Sequence, residues 1–257
     1  MKRLIKSLLR RAGYELTPVR DDSHDELADL EPWQREIIVR VQPLTMTGIA
    51  RSAALVHAVT HLSRRGVPGD IAECGVWRGG SMMAVALTLL SLGDTGRELW
   101  LYDTFAGMTA PSDSDVSHDG RPAMAEFAKH QEAGGGWCSS GLQEVRKNLE
   151  STGYPMNRVH FVEGKVEETI PAATPGPLAL LRLDTDWYES TRHELRHLFP
   201  LLHEDGILLI DDYGHWQGAR RAVDEFFSRA VHPVYFQRID YTGRLLAGAG
   251  RVRIAAP

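Results

Sequence analysis

Two apolar runs of strand type, Leu178-Ala-Leu-Leu-Arg-Leu and Gly206-Ile-Leu-Leu-Ile, both end on carboxylates. Asp184 and Asp186 follow the first run, and Asp211 and Asp212 follow the second. Short continuous apolar runs read as strands buried on both faces, the condition of a parallel sheet covered by helices. Acids at the carboxyl ends of two such strands face the crevice where open α/β sheets bind ligands. Carboxylates crowded together repel one another, so they need a proton or a hard cation to coexist. Oxygen-only ligation suits Mg²⁺ or Ca²⁺ better than zinc. A lone Asp here reads as a helix cap or a solvated group; several on neighbouring strand ends read as a metal site.

The surrounding sequence alternates strand and helix patterns. Strands are predicted at 70–76, 98–104, 158–163, 178–184 and 206–211, and helices at 48–65, 80–92, 141–151, 190–202 and 217–229. Ile49, Ala53, Val56, Val59 and Leu62 share one helical face, and Gly66 is placed to cap that helix. Thr191-x-x-Glu194 and Ser140-x-x-Gln143 have the form of capping boxes. Two further strands, 233–240 and 245–254, are joined by the turn signal Tyr241-Thr-Gly-Arg. The fold class is therefore α/β: a mostly parallel seven-stranded sheet, wound with helices on both faces and finished by an antiparallel hairpin. Residues 106–139, rich in Gly, Ser, Asp and His, fit no regular element and are expected to cover an active site. An amino-terminal arm at 1–35, basic and amphipathic at its start and acidic over 20–32, precedes a domain at 36–257. The basic start is expected to pack on the body of the protein or on a partner subunit.

Net charge is −5 over 257 residues, which gives no general attraction to nucleic acid. No apolar run has the length of a membrane span, and Lys6 and Arg10 interrupt the first one too early for a signal peptide. Cys74 and Cys138 make neither a disulfide framework nor a CxxC metal pattern, which fits a reducing cytoplasm.

The first strand runs into Glu73-Cys74-Gly75-Val76-Trp77-Arg78-Gly79-Gly80-Ser81 and then into a helix. Glycine allows the tight turn and a close ligand approach. A dinucleotide site would read GxGxxG and seat a pyrophosphate on the helix amino terminus. Here an acid precedes the first glycine, which disfavours a pyrophosphate and favours an ammonium group. S-adenosylmethionine (SAM) carries an ammonium and no phosphate. Asp103 ends the second strand, where an acid is placed to bind ribose hydroxyls. The alternative, a glycine turn serving only helix–sheet packing, requires neither acid.

Glu-Cys-Gly-Val-Trp-Arg-Gly-Gly, Tyr102-Asp-Thr-Phe-Ala-Gly-Met, Leu183-Asp-Thr-Asp-Trp-Tyr-Glu-Ser-Thr and Ile210-Asp-Asp-Tyr-Gly-His-Trp, in this order, resemble the macrocin-type O-methyltransferases. The resemblance runs from about residue 40 to about residue 230. It implies a Rossmann-like class I, SAM- and Mg²⁺-dependent O-methyltransferase, usually homo-oligomeric, acting on a hydroxyl of a natural-product sugar. By position, Asp184, Asp211 and Asp212 resemble the metal ligands and Asp186 the general base. Glu73, Gly75, Val76, Trp77, Arg78, Ser81, Asp103, Thr104, Phe105, Gly107 and Ser139 resemble the cofactor pocket. Thr45 and Met46 fall at its methionine end, and Gly164 and Val166 near the adenine.

An aliphatic hydroxyl is a poor nucleophile at neutral pH; a divalent cation reaching two vicinal oxygens would acidify one of them. Asp186 would take its proton as it attacks the sulfonium methyl in line. Asp186 shares the face of Asp184 only if strand geometry persists that far. His215 is the competing base, and loss of the proton to water is a third route. Trp137, Trp187, Trp216 and Tyr213 flank the acids and suit sugar rings or flat aglycones as well as a plain core; His118 lies in the covering segment. Arg220 and Arg221 read as a solvated helix face. The expected acceptor is a small molecule with vicinal oxygens: a glycosylated natural product or a nucleotide-activated sugar, with a catechol or other phenol as the alternative. Rival classes are a nicotinamide oxidoreductase, disfavoured by Glu73 and the missing fingerprint, and a non-catalytic SAM-binding protein, disfavoured by the full set of acids.

Overall fold

The computed structural model describes residues 26–134 and 136–255. The basic start of the arm, and its acidic stretch up to residue 25, lie outside them. From the amino end the elements are α1 (Pro32–Val41), α2 (Ile49–Arg64), β1 (Asp70–Cys74), α3 (Gly80–Leu92), β2 (Leu99–Asp103), α4 (Ala123–Glu132), α5 (Leu142–Glu150) and β3 (Val159–Glu163). They continue as α6 (Val166–Thr169), β4 (Leu178–Leu183), α7 (Tyr188–His197), β5 (Leu202–Ile210), α8 (Gln217–Phe227), β6 (Gln237–Arg238) and β7 (Arg244–Ala247). One seven-stranded sheet has the order β3-β2-β1-β4-β5-β7-β6. All pairs are parallel except those made by β7.

Alternation along the strands builds a core on each face. Ile71, Leu99, Leu101, Ile207 and Leu209 pack with Ile38 of α1, Val56 of α2, Met82 of α3 and Leu149 of α5. Ala72, Cys74, Tyr102, Leu208 and Ile210 point the other way, with Val166 of α6, Leu195 of α7 and Val223 of α8. Strand order reverses between β1 and β4, and both strands end at the same rim; that is the crevice where such sheets hold ligands.

The Gly66 cap forms as expected. Gly66 has φ +62° and donates to the Ser63 carbonyl, while Val67 donates to that of Leu62, so the last turn of α2 closes as a Schellman motif. Neither capping box forms. Helix α7 opens two residues before the predicted start, at Tyr188, whose amide donates to the Asp115 carboxylate at 2.8 Å. Thr191 thus lies inside the helix, and Glu194 is fully buried, accepting from the Thr185 hydroxyl at 2.9 Å. Gly141, not Ser140, precedes α5.

The final hairpin is shorter than predicted. Pro233 cannot donate to a ladder, and a left-handed Gly248 at φ +66° ends β7. Its turn forms where expected, with the Asp240 carboxylate accepting from the amides of Thr242 and Gly243. The 106–139 segment contains a helix the sequence did not announce, α4; Ala123 is its only fully buried residue, so little of it is fixed by the core.

Candidate active site

At the carboxyl ends of β1, β2, β4 and β5 lies a cavity of about 410 Å³. The β1 and β4 ends meet there so closely that a Cβ on Gly75 would fall 2.0 Å from the Asp184 carbonyl oxygen. Gly75 has φ +85°, so glycine is required twice over. The loop beyond it is held from β2. Asp103 accepts from the amides of Val76 at 2.6 Å and Trp77 at 3.0 Å with one oxygen, and from that of Phe105 at 2.8 Å with the other. The chain takes up left-handed backbone at both Trp77 and Phe105 (φ +48° and +49°).

Strand β4 stops at Leu183, so its alternation does not carry Asp186 to the site. A tight turn does. Trp187 donates to the Thr185 carbonyl at 2.8 Å around Asp186, which sits at φ +68°, the pattern of a strained γ-turn. Ligand oxygens of Asp184, Asp186 and Asp212 all fall within 4.8 Å of one another. Burial, and then the charges of Asp184 and Asp211, push the Asp186 carboxyl up to about 7. Burial holds Asp184 and Asp212 well above the ordinary carboxylate range. One buried oxygen of Asp212 has no hydrogen-bond partner. Oxygen donors in this number, one of them unsatisfied, fit a hard divalent cation.

Asp211 has different company. Its Oδ1 accepts from Arg182 at 2.8 Å and its Oδ2 from Arg51. Arg182, 3% exposed, also pairs with Glu73 at 2.6 Å and Asp184 at 2.7 Å. Glu73 is wholly buried beneath the glycine loop, and desolvation, partly offset by Arg182, raises it to about 7.

Of the sequence-predicted residues, the cavity wall includes Met46, Gly75, Val76, Trp77, Asp103, Thr104, Gly107, Gly164 and Val166, together with all four aspartates and His215. The rest stand behind it. Glu73 faces Arg182; Arg78 turns out to Glu144 at 2.7 Å. Phe105 packs in the core near Phe161. Thr45 and Ser81 face each other at 3.5 Å, and Ser139 lies against Gly107.

His215 is half-buried, its Nδ1 paired with the Tyr241 hydroxyl at 3.0 Å; burial and then His118 lower its pKa. The His118 ring lies 5.4 Å from that of His215 but faces the neighbouring pocket rather than the main cavity. Trp137, Trp187 and Trp216 meet at 5.1–6.0 Å between ring centres and share the cavity wall. Tyr213 lies outside it, between Arg220 and Arg244. Arg220 and Arg221 are exposed and pair with Asp224 and Glu225 one turn on. The covering segment lays Met108, Thr109 and Trp137 on the cavity and closes on itself, Met108 donating to the Trp137 carbonyl at 2.8 Å.

Sequence reasoning missed Arg182, Arg51 and Tyr241. Arg182 was signalled: a charge inside an apolar strand must find buried partners. Arg51 and Tyr241 gave no such signal, because tertiary contact alone brings α2 and the β6–β7 turn to the acids.

Residues 34–246 match the macrocin-O-methyltransferase (TylF) family. The chain is 35% identical over 243 residues to a Streptomyces olivaceus enzyme, 8-demethyl-8-(2,3-dimethoxy-alpha-L-rhamnosyl)-tetracenomycin-C 4'-O-methyltransferase, covering 93% of this chain and 89% of that one. It is 35% identical over 185 residues to mycinamicin III 3''-O-methyltransferase of Micromonospora griseorubida, covering 72% and 70%. Among solved structures it superimposes on the O-methyltransferase NovP with a TM-score of 0.68 at 30% identity, over 79% of this chain and 81% of that one. The calicheamicin methyltransferase CalS11 shares the fold, at a TM-score of 0.58 and 20% identity, over 91% and 99%. The chain belongs to the macrocin-O-methyltransferase family of SAM-dependent O-methyltransferases.

Proposed function

We propose that this enzyme methylates a hydroxyl of a sugar carried by a natural product, with SAM as donor and Mg²⁺ as its metal. The observation that carries the reading is the meeting of Asp184, Asp186 and Asp212 within 4.8 Å on the wall of the cavity at the strand ends. Relatives named for the 4'-hydroxyl of a rhamnosyl tetracenomycin and the 3''-hydroxyl of a mycinamicin favour a sugar acceptor. Asp184 and Asp212 would hold the cation, with Asp211 as third ligand. Bound there, the cation supplies Lewis acidity toward vicinal acceptor oxygens.

The remaining work falls to the chain. Asp186 takes the acceptor proton; a carboxyl raised to about 7 is a stronger base than an ordinary one, near the operating pH. His215, neutral and across the same cavity, is the second candidate base. The β1 and β2 loops hold SAM, with Asp103 bracing the first and reaching the ribose. The three tryptophans exclude water and offer faces to the sugar or its aglycone. No helix among the described residues is long and apolar enough to cross a membrane. We take residues 36–257 as the catalytic domain, 1–35 as an arm, and a homo-oligomer as the working assembly.

The test is methyl transfer from SAM to a panel of deoxysugar glycosides and catechols, read by mass with Mg²⁺ and with EDTA. The expected result is a singly methylated glycoside that disappears with EDTA. Turnover indifferent to EDTA would remove the metal, and methylation of catechols alone would remove the sugar.

A further inference from the structure

Among the described residues, Arg51 is the one guanidinium that both faces the cavity and touches the acid cluster. It projects from α2 and is held from two sides. Its Nη1 pairs with Asp211, and its Nε with Asp240 at 3.0 Å, in the turn between β6 and β7. The space for its stem is made by Gly243, where a Cβ would lie 2.9 Å from the Arg51 Cγ and Cδ. Asp240 is itself fixed, its other oxygen accepting from the amides of Thr242 and Gly243. Thr242 then donates to the Asp211 carbonyl at 2.7 Å, so the turn and the carboxyl end of β5 form one unit. With Arg182 on Oδ1 and Arg51 on Oδ2, both oxygens of Asp211 are committed to guanidinium groups, whereas Asp212 beside it keeps an unpartnered oxygen.

We propose that Arg51 is an internal counter-ion that competes with the divalent cation for the Asp211 carboxylate, and that Asp240 sets how strongly it competes. The inference rests on the metal reading above and adds a positioning residue to it. A guanidinium cannot surrender its charge, so a cation arriving at Asp211 must displace Arg51 or bind against its repulsion. Asp240 offers the displaced group a second carboxylate. Cation loading is thereby tied to the turn that carries Tyr241 and Thr242 onto the cavity wall.

The experiment is Mn²⁺ binding to the full chain without cofactor or acceptor, read from the free-ion electron paramagnetic resonance signal. Arg51→Met keeps the stem and removes the charge; it is expected to tighten Mn²⁺ about tenfold or more. Asp240→Asn leaves Arg51 with Asp211 as its remaining anionic partner and is expected to weaken Mn²⁺ several-fold. Loss of a merely structural contact would weaken both, so opposite signs are the signature. Arg51→Met binding Mn²⁺ no more tightly than wild type overturns the proposal. If Arg51→Met fails to fold, Asp240→Asn decides alone: unchanged or tighter binding overturns it. A wild type that binds no Mn²⁺ overturns the metal reading as well; a wild type that binds, with unmoved variants, overturns only this one.

Discussion

Arg182 shows how much one side chain can be asked to neutralise. It faces Glu73, Asp184 and Asp211 together, in a strand otherwise made of Leu and Ala. Replacing it by Met would leave the wholly buried Glu73 without a counter-charge and Asp211 with Arg51 alone, at a cost of about 3–5 kcal/mol. For a chain of this size the midpoint should fall by roughly 10 °C, read by calorimetry. Asp186→Asn should behave otherwise: thermal stability held or raised, since the substitution removes a carboxylate whose burial is unfavourable, and kcat lowered about 10²–10⁴-fold. A loss below about tenfold would transfer the role of base to His215. The identities of these acids were legible because apolar runs end on them. The γ-turn that aims Asp186 was not, because nothing in Asp-Thr-Asp-Trp announces a positive φ at a non-glycine residue.

Among elements, the β6–β7 turn, signalled in sequence by Tyr241-Thr-Gly-Arg, is among the most consequential. Gly214, following β5, fits beneath it: a Cβ there would lie 1.8 Å from the Tyr241 carbonyl oxygen. Gly214→Ala should therefore push the turn off the cavity and break the contact between Tyr241 and His215. Steady-state kinetics should show KM for the acceptor rising while KM for SAM holds. An equal rise in both would mean the turn serves the fold alone. The parallel strands, their helices and the Gly66 cap were readable because each is fixed by local pattern. The start of α7 was not, since its cap comes from Asp115, 73 residues away in sequence. Helix α4 escaped for the opposite reason: it is solvated nearly all round, with Ala123 its one buried residue, so no core-facing stripe sets its pattern.

At the scale of the whole molecule, the acids gathered at the sheet rim make the fold sensitive to pH. Burial raises Asp184, Asp212 and Glu194 well above the ordinary range, and Asp186 and Glu73 to about 7. An acid whose folded pKa exceeds its unfolded value binds protons more tightly in the fold, so stability falls as pH rises from the unfolded pKa through the folded one. The metal-free enzyme should thus melt at higher temperature at about pH 6.5 than at about pH 8, the five raised acids outweighing the lowered imidazoles of His197 and His215, which act the other way near the lower value. Added Mg²⁺ should raise the melting point more at the higher pH and narrow the gap. A melting point that climbs between these pH values would show the acids ionised and balanced within the protein itself.

The covering segment closes its own base, Met108 upon Trp137, before the chain returns to the sheet. An excursion whose ends already meet can change length at little entropic cost, on the order of 0.6 kcal/mol per doubling. Its tip, helix α4, is mostly solvated, so residues there answer to few packing demands. The freedom belongs to that tip alone: Asp115 at the start of α7 and Trp137 against Trp187 and Trp216 pin the rest of the segment to the body. The excursion can therefore lengthen or shorten outward while the part that faces the cavity stays in place.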